Sequence, residues 1–249
     1  MRKPFIAANW KMNKTTADTR EFLEKFIPGV KDVTAVDIVI APPFISLAGA
    51  AEMLRGTNVA LAAQNAFYEE KGAYTGEISP LMLSDVGCRY VIIGHSERRQ
   101  YFFEDDGIVN RKIKAAKKAG IGVIVCIGEL LAEREGGRTF EVLERQIEKG
   151  LREIDPDNTV IAYEPVWAIG TGKTATPEQA QEAHAFIRGR LSVLYGNRAG
   201  EFCIIYGGSV TPDNVDSLMA CEDVDGALVG GASLKVESFT RIVKFGKVQ

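Results

Sequence analysis

The amino-acid sequence predicts an α/β fold, and within that class a single (β/α)8 barrel that forms one domain over residues 1–249. Short runs rich in β-branched residues alternate with longer segments of helical spacing, and there are eight such runs. Each run is almost continuously apolar, as expected for parallel strands buried on both faces. Eight strands alternating with helices over this length are typical of a closed barrel. An open doubly wound sheet is the alternative that the pattern leaves open.

The bounds of the predicted elements follow from this alternation. The predicted strands are residues 5–10, 37–41, 59–64, 90–93, 123–127, 160–163, 203–206 and 227–229. Helical spacing is clearest over residues 16–26, 107–119, 139–154 and 177–194. The last of these helices also has a start signal, because Thr176 is a good N-cap, Pro177 suits the first helical position and Gln179 completes a capping box.

Composition and charge exclude several classes of protein. The net charge is -3 and the pI about 5.6, so general binding to nucleic acid or to anionic membranes is not expected. The four cysteines are scattered without a C-x-x-C motif, which favours reduced thiols over disulfides or a zinc site. We find no signal peptide and no apolar run of the roughly 18 residues that a membrane span requires. The sequence therefore predicts a cytoplasmic protein.

The stretch GTGKT resembles part of a nucleotide-binding P-loop. That motif requires a glycine five residues before the Gly-Lys pair, but Trp167 occupies the position. The run from residue 162 to residue 177 therefore reads as a strand, a long loop and a helix start, and it does not predict ATP binding.

Polar residues, glycines or prolines, which contribute little to an apolar core, follow each predicted strand. Because the carboxyl ends of the strands meet at one face of a barrel, we expect these residues to surround a single pocket. They are Asn9, Lys11 and Asn13; Pro42 and Pro43; Gln64 and Asn65; Gly94 to Glu97; Gly128 and Glu129; Glu164 and Pro165; Gly207 to Ser209; and Gly230 and Gly231.

Three of these side chains could carry chemistry. Glu164 could be a surface ion-pair partner, but at a strand end over a pocket burial would raise its pKa and suit it to remove a proton. His95 could be structural, but it begins a predicted helix, where the helix dipole disfavours the charged ring and leaves a neutral hydrogen-bond donor. Lys11 could be solvated, but it lies between Asn9 and Asn13 in a pattern that directs the polar groups one way.

Two glycine-rich turns follow the last two strands, at Gly207-Gly208-Ser209 and Gly230-Gly231. Each could be a simple tight turn, but many barrels bind phosphate through backbone N–H groups at these positions. No metal-ligand spacing and no dinucleotide motif is present, so neither a metal nor a cofactor is expected. The combination predicts removal of a proton next to a carbonyl in a small phosphorylated substrate.

Six motifs resemble the triosephosphate isomerase family in the order in which that family has them. They are residues 9–13 (NWKMN), 92–99 (IIGHSERR), 126–129 (CIGE), 162–174 (AYEPVWAIGTGKT), 206–210 (YGGSV) and 229–234 (VGGASL). The resemblance spans nearly the whole chain. It implies a TIM barrel that interconverts dihydroxyacetone phosphate and D-glyceraldehyde 3-phosphate in glycolysis and gluconeogenesis, without a cofactor.

The resemblance also implies roles for individual residues. Glu164 is expected to be the base, with His95 and Lys11 as electrophilic stabilisers of an enediolate, and residues 165–175 are expected to close over the site as a lid. Substrate binding is expected from Asn9, Lys11, Gly170, Ser209, Gly230 and Gly231, with Glu97 and Cys126 in supporting positions.

A homodimer is a further expectation, formed through the loop at residues 65–77. The loop is long and carries Phe67, Tyr68 and Tyr74, which are unusual on a free surface loop. Thr75 at its tip is expected to reach the partner's active site. Two other functions stay open at this point: an aldolase with Lys11 as the Schiff-base nucleophile, and a phosphate-binding protein without activity.

Overall fold

Eight parallel strands close into a barrel in the computed structural model, which describes residues 2–168 and 174–246. Each strand pairs with the next one along the chain, and the last pairs with the first. The (β/α)8 prediction is confirmed and the open sheet is excluded. The strands are β1 (Phe5–Asn9), β2 (Asp37–Ala41), β3 (Val59–Ala63), β4 (Tyr90–Ile93), β5 (Gly122–Ile127), β6 (Thr159–Tyr163), β7 (Cys203–Tyr206) and β8 (Gly226–Val229).

Helices follow the strands and cover the outside of the barrel. Short 3-10 turns at Phe44–Ser46, Val166–Ala168, Gly196–Glu201 and Gly231–Leu234 complete the connections. The α-helices within the described ranges are α1 (Thr16–Val30), α2 (Leu47–Leu54), α3 (Pro80–Val86), α4 (Ser96–Phe102), α5 (Asp106–Lys118), α6 (Leu131–Glu135), α7 (Thr139–Gly150), α8 (Pro177–Tyr195), α9 (Val215–Met219) and α10 (Val236–Val243).

The four predicted helices all form, with differences at their ends. Helix α8 has the predicted capping box, in which the Thr176 hydroxyl accepts from the backbone N–H of Gln179. Helix α1 continues past the predicted end through Pro28, because the loss of one backbone donor near the terminus is offset by burial of Val30. Helix α7 ends early, and the chain then reaches Glu153, whose φ of 60° is incompatible with a right-handed helix.

Two apolar layers result from the alternation of side chains along the strands. Odd-numbered β1 residues such as Phe5 and Ala7 fill the inside of the barrel, together with Ile124 and Leu228. The intervening residues pack outward against the helices, where they form the larger core. Because apolar side chains fill the inside of the barrel, the polar residues at the strand ends are the groups available for chemistry at its carboxyl face.

The described ranges contain neither a membrane-spanning helix nor a cluster of metal-ligating side chains. No helix there is both long enough and apolar enough to cross a membrane. Within the same residues, no group of three or more His, Cys, Asp or Glu side chains is arranged to hold a metal ion.

Candidate active site

Glu164 follows β6, and its carboxylate points into the ring of strand ends. It is 2% exposed. Its Oε1 lies 2.9 Å from His95 Nε2, and its Oε2 accepts a 2.9 Å hydrogen bond from the backbone N–H of Ser96. The two predicted chemical groups from β4 and β6 are therefore in direct contact.

His95 caps the N-terminus of α4 with its ring. Its Nδ1 accepts a 3.2 Å hydrogen bond from the backbone N–H of Glu97. A backbone N–H can only donate, so Nδ1 carries no proton and the ring is neutral with its proton on Nε2. The Nε2–H group is then the donor toward Glu164, and it is the group that would face a substrate oxygen.

The electrostatics of this pair differ from the sequence-based prediction. Burial raises the pKa of Glu164, but the hydrogen bonds and charges of His95, Ser96 and Lys11 outweigh burial, so its pKa lies below the ordinary value. The expectation that burial alone would raise the pKa is wrong for this position of the carboxylate. Burial also lowers the pKa of His95, but the adjacent Glu164 carboxylate reverses the direction and raises it.

The raised pKa of His95 favours a charged ring, whereas the hydrogen bond from the Glu97 N–H to Nδ1 requires a neutral one. We assign the neutral ring, because an imidazolium would place its Nδ1–H against the backbone N–H of Glu97. His95 is the N-cap of α4, so the group that requires an unprotonated Nδ1 is a backbone N–H at the N-terminus of this helix.

Lys11 lies just beyond β1 with a left-handed backbone, φ 52°. Its Nζ makes a 2.7 Å ion pair with Oε1 of Glu97, which confirms contact between these two predicted residues. Asn9 ends β1, is 5% exposed, and accepts the backbone N–H of Lys11 through its Oδ1 at 3.0 Å. The Lys11 ammonium is therefore held by Glu97, which follows β4, and the Lys11 backbone by Asn9 at the end of β1.

One cavity of about 330 Å³ brings most of the predicted site residues together. Reacting groups that follow β1, β4 and β6 line it, and so do the glycine-rich turns after β7 and β8. Gly170, another predicted phosphate ligand, lies outside the described residues. The lining includes Asn9, Lys11, His95, Glu164, Ser209, Gly230 and Gly231.

Three predicted residues do not line this cavity. Cys126 is fully buried at the end of β5, and burial together with the neighbouring Glu164 carboxylate raises the pKa of its thiol well above the ordinary value. It therefore packs as a neutral group. Glu97 reaches the site through Lys11. Thr75 is exposed in the loop at residues 65–77 and is not among the residues that line the cavity.

One of the strand-end residues expected around the pocket, Glu129, is a buried carboxylate to which the sequence assigned no individual role. Glu129 is fully buried and accepts hydrogen bonds from Arg134, from the Tyr163 hydroxyl at 3.1 Å and from Trp167 Nε1 at 2.9 Å. The guanidinium of Arg134 also lies 4.4 Å over the Trp167 ring. Its place after β5 was the only sequence signal, since none of its partners is close in sequence except Arg134.

The fold and the site define the class of protein: a (β/α)8-barrel enzyme with a buried carboxylate–imidazole pair and a lysine at the carboxyl face of the barrel. A sequence model of the triosephosphate isomerase family matches residues 4–246. This chain belongs to the triosephosphate isomerase family, and it is an enzyme of the isomerase class.

Individual relatives agree with this assignment. The chain is 57% identical to the triosephosphate isomerase of Geotalea uraniireducens, over 99% of this chain and 100% of the relative. It is 55% identical to that of Thermodesulfovibrio yellowstonii, over 98% and 100% of the two chains. A crystal structure of triosephosphate isomerase from Bartonella henselae superimposes with a TM-score of 0.90 at 40% identity, covering 97% of this chain and 98% of the other.

Proposed function

We propose that this isomerase interconverts dihydroxyacetone phosphate and D-glyceraldehyde 3-phosphate, an interconversion that belongs to glycolysis, and that it does so without a cofactor. Glu164 is the base, and His95 and Lys11 stabilise the enediolate. The observation that carries the proposal is the 2.9 Å contact between Glu164 and His95 Nε2 in the cavity that Lys11 also lines. A base and two electrophilic groups there match the demands of proton transfer next to a carbonyl.

The phosphate would bind at the glycine-rich turns that line the same cavity. Backbone N–H groups of Ser209, Gly230 and Gly231 supply donors without a buried cation, and Gly231 begins a 3-10 turn whose N-terminus favours an anion. With the phosphate held there, the carbonyl oxygen faces His95 Nε2–H and the Lys11 ammonium. Asn9 holds the neighbouring oxygen.

Catalysis then moves one proton between two carbons. Glu164 takes a proton from the carbon that carries the hydroxyl, the electron pair forms the carbon–carbon double bond, and the former carbonyl oxygen becomes the enediolate oxygen. Hydrogen bonds from His95 and Lys11 stabilise the charge on that oxygen, and the hydroxyl proton passes to it from the neighbouring oxygen. Protonated Glu164 then returns its proton to the former carbonyl carbon, and the new carbonyl forms at the carbon that first lost a proton. Lys11 acts as a charge and not as a nucleophile, because its ammonium is paired with Glu97.

The position of Glu164 in the structure is a resting position. To reach the substrate, its carboxylate must leave the Ser96 N–H and the His95 ring, which are two of the groups that lower its pKa. Burial stays, so its pKa rises as it moves and the carboxylate becomes a stronger base at the substrate. We propose that residues 165–175 close over the site and exclude water during this step. The described part of that segment begins with the 3-10 turn at Val166–Ala168.

A coupled assay of triose phosphate turnover tests the function, and Glu164→Asp tests the mechanism. The shorter side chain withdraws the carboxylate, so kcat should fall on the order of 100-fold with KM much less affected. Glu201→Asp, at an exposed ion pair with Arg198, is the matched control and should leave both constants unchanged. Unaltered turnover in Glu164→Asp would remove Glu164 from the role of base.

We also propose that the enzyme is a homodimer formed through residues 65–77. Large apolar side chains around the site are exposed in the single chain, among them Met12 at 96%, Ile45 at 73% and Phe102 at 61%. Met12 and Phe102 line a cavity of about 500 Å³ next to Lys11, large enough to receive part of a loop. A patch of this kind is typical of a protein interface.

The aromatic residues of the loop pack differently from the expectation. Phe67 stacks on Tyr68 at 4.2 Å and on Tyr74 at 4.7 Å, so these rings stiffen their own loop. A rigid loop that presents Thr75 at its tip supports insertion into a partner. Sedimentation of Thr75→Arg should show monomers with low activity, whereas Thr34→Arg, an exposed control, should stay dimeric; an active Thr75→Arg dimer would contradict the proposal.

The remaining proposals concern the whole chain. We propose that residues 1–249 form one barrel domain. The first strand pairs with the last to close the barrel, and the family model spans residues 4–246. A cytoplasmic location is the setting that suits a glycolytic enzyme.

A further inference from the structure

The backbone of Lys11 adopts a conformation that lysine seldom takes. Its φ of 52° places it in the left-handed region, where the Cβ is crowded by the chain. A non-glycine residue stays there only when surrounding contacts determine it. Because this backbone sets the starting direction of the Lys11 side chain, whatever holds it also aims the ammonium.

Three carboxamide side chains hold this turn. Asn9 Oδ1 accepts from Lys11 N at 3.0 Å, and Asn13 Nδ2 donates to the carbonyl of Trp10 at 2.7 Å. Gln64 Nε2 donates to the carbonyl of Lys11 at 2.9 Å. Of the three, only Gln64 comes from a different strand end, directly after β3.

Gln64 makes a second hydrogen bond from the same nitrogen, to the carbonyl of Ala41 at 2.9 Å. Ala41 ends β2, and its carbonyl also accepts from Trp10 N at 3.2 Å. The two hydrogens of one amide nitrogen thus connect the ends of β1, β2 and β3. Of the ordinary side chains of this length, only glutamine places two such donors on one nitrogen without charge.

We propose that Gln64 is a positioning residue for catalysis: it fixes the left-handed backbone of Lys11 and thereby directs the ammonium at the substrate oxygen. The proposal rests on the function proposed above for Lys11. Gln64 does not line the cavity that holds Asn9, Lys11, His95 and Glu164, so it acts through Lys11 and not on the substrate.

A double-mutant cycle of Gln64→Met and Lys11→Ala tests this coupling. Methionine keeps the length of the side chain but removes both donors. We expect Gln64→Met to lower kcat/KM by about 10- to 100-fold in the parent enzyme, the scale of a misplacement near 1 Å. In the Lys11→Ala background the same change should lower it less than about 2-fold, because no ammonium remains to be aimed.

Asn58 supplies a matched control. Its Nδ2 also donates to two backbone carbonyls, those of Val30 at 2.8 Å and Val33 at 2.7 Å, at the opposite end of β3. Asn58→Leu removes an equivalent pair of hydrogen bonds. It should lower the unfolding midpoint without changing kcat/KM, which separates positioning from a general loss of stability.

The outcomes distinguish this proposal from the proposed function. Full activity in Lys11→Ala would refute the role of Lys11 itself. A large loss in Lys11→Ala with none in Gln64→Met, or equal fold-losses from Gln64→Met in both backgrounds, would overturn the positioning role. All variants are assayed at a concentration at which each sediments like the parent, since Gln64 also lines the cavity beside the 65–77 loop. If Gln64→Met does not fold, Gln64→Glu, which likewise lacks donors, replaces it with the same expected pattern.

Discussion

A methyl group added at Gly207 should displace the side chain of Glu164, the proposed base, and lower the rate of catalysis. Gly207 follows β7, and a Cβ built there would lie 2.8 Å from Glu164 Cγ and 3.1 Å from the carbonyl oxygen of Tyr163. The φ of Gly207 is not positive, so its backbone accepts alanine and the effect is one of space alone. Glu164 Cγ is not a mobile tip, because both carboxylate oxygens are bound to His95 and Ser96.

The size of the displacement follows from these distances. Carbon atoms pack at about 3.5–4.0 Å, so the Cγ of Glu164 must move by about 1 Å. We expect this displacement of the side chain to persist when the carboxylate reaches the substrate, where a misplacement of about 1 Å reduces the rate on the order of 100-fold. Gly207→Ala should therefore lower kcat by about that factor. Since the displaced carboxylate would leave the imidazole, the pKa of His95 should fall as well.

Steady-state kinetics and NMR titration of His95 together check this reasoning. Gly189→Ala, in α8 with nothing within 4 Å of the added Cβ, is the control and should leave kcat unchanged. If Gly207→Ala folds and keeps both the parent kcat and the parent pKa of His95, the position of Glu164 does not depend on the absence of a side chain at residue 207. The two readouts also separate displacement of the base from partial unfolding, which would lower kcat without shifting one histidine.

The other predictions concern titration and the lid. Glu164→Gln should lower the pKa of His95 below its value in the parent, because burial remains while the opposing charge is removed; an unchanged NMR titration of His95 would contradict the coupling. Burial lowers the pKa of His184 to about 4, so the unfolded chain binds its proton first and stability is lost as the pH falls from 6.5 to about 4. This amounts to about 3 kcal/mol. Urea unfolding at fixed protein concentration should show a correspondingly shallower pH dependence in His184→Gln, and equal slopes would refute this origin. Deleting residues 169–173 should let the enediolate expel phosphate and form methylglyoxal, whereas isomerisation alone at the parent rate would argue against a lid.

The strands were predictable from sequence to within one residue at either end. Near-continuous apolar runs of four to six residues are typical of parallel strands buried on both faces, and a polar residue or a glycine ends most of them. The ends of α1 and α7 were less predictable, because burial of Val30 and the backbone of Glu153 depend on tertiary contacts and local geometry that helical spacing does not encode.

The membership of the site was also predictable, because strand ends converge in a barrel and the sequence shows which residues stand there. The state of the site was not. The hydrogen bond from Ser96 to Glu164, the left-handed backbone of Lys11 and the amide contacts of Gln64 depend on distances between segments far apart in the chain. The lowered pKa of Glu164 follows from those same contacts, which is why an argument from burial alone gave the opposite direction.

In the lid proposed above for residues 165–175, the hydrogen bonds of Glu129 bear on the movement of the first hinge. When Trp167 moves, Glu129 gives up one of its hydrogen bonds but keeps Tyr163 and Arg134, so no bare charge is left in the interior. Removing a hydrogen bond to a charged group costs about 1.5–3 kcal/mol, whereas stranding a buried carboxylate would cost far more. In that proposal Glu129 marks the resting place of the hinge and stays hydrogen-bonded to Tyr163 and Arg134 when the hinge moves.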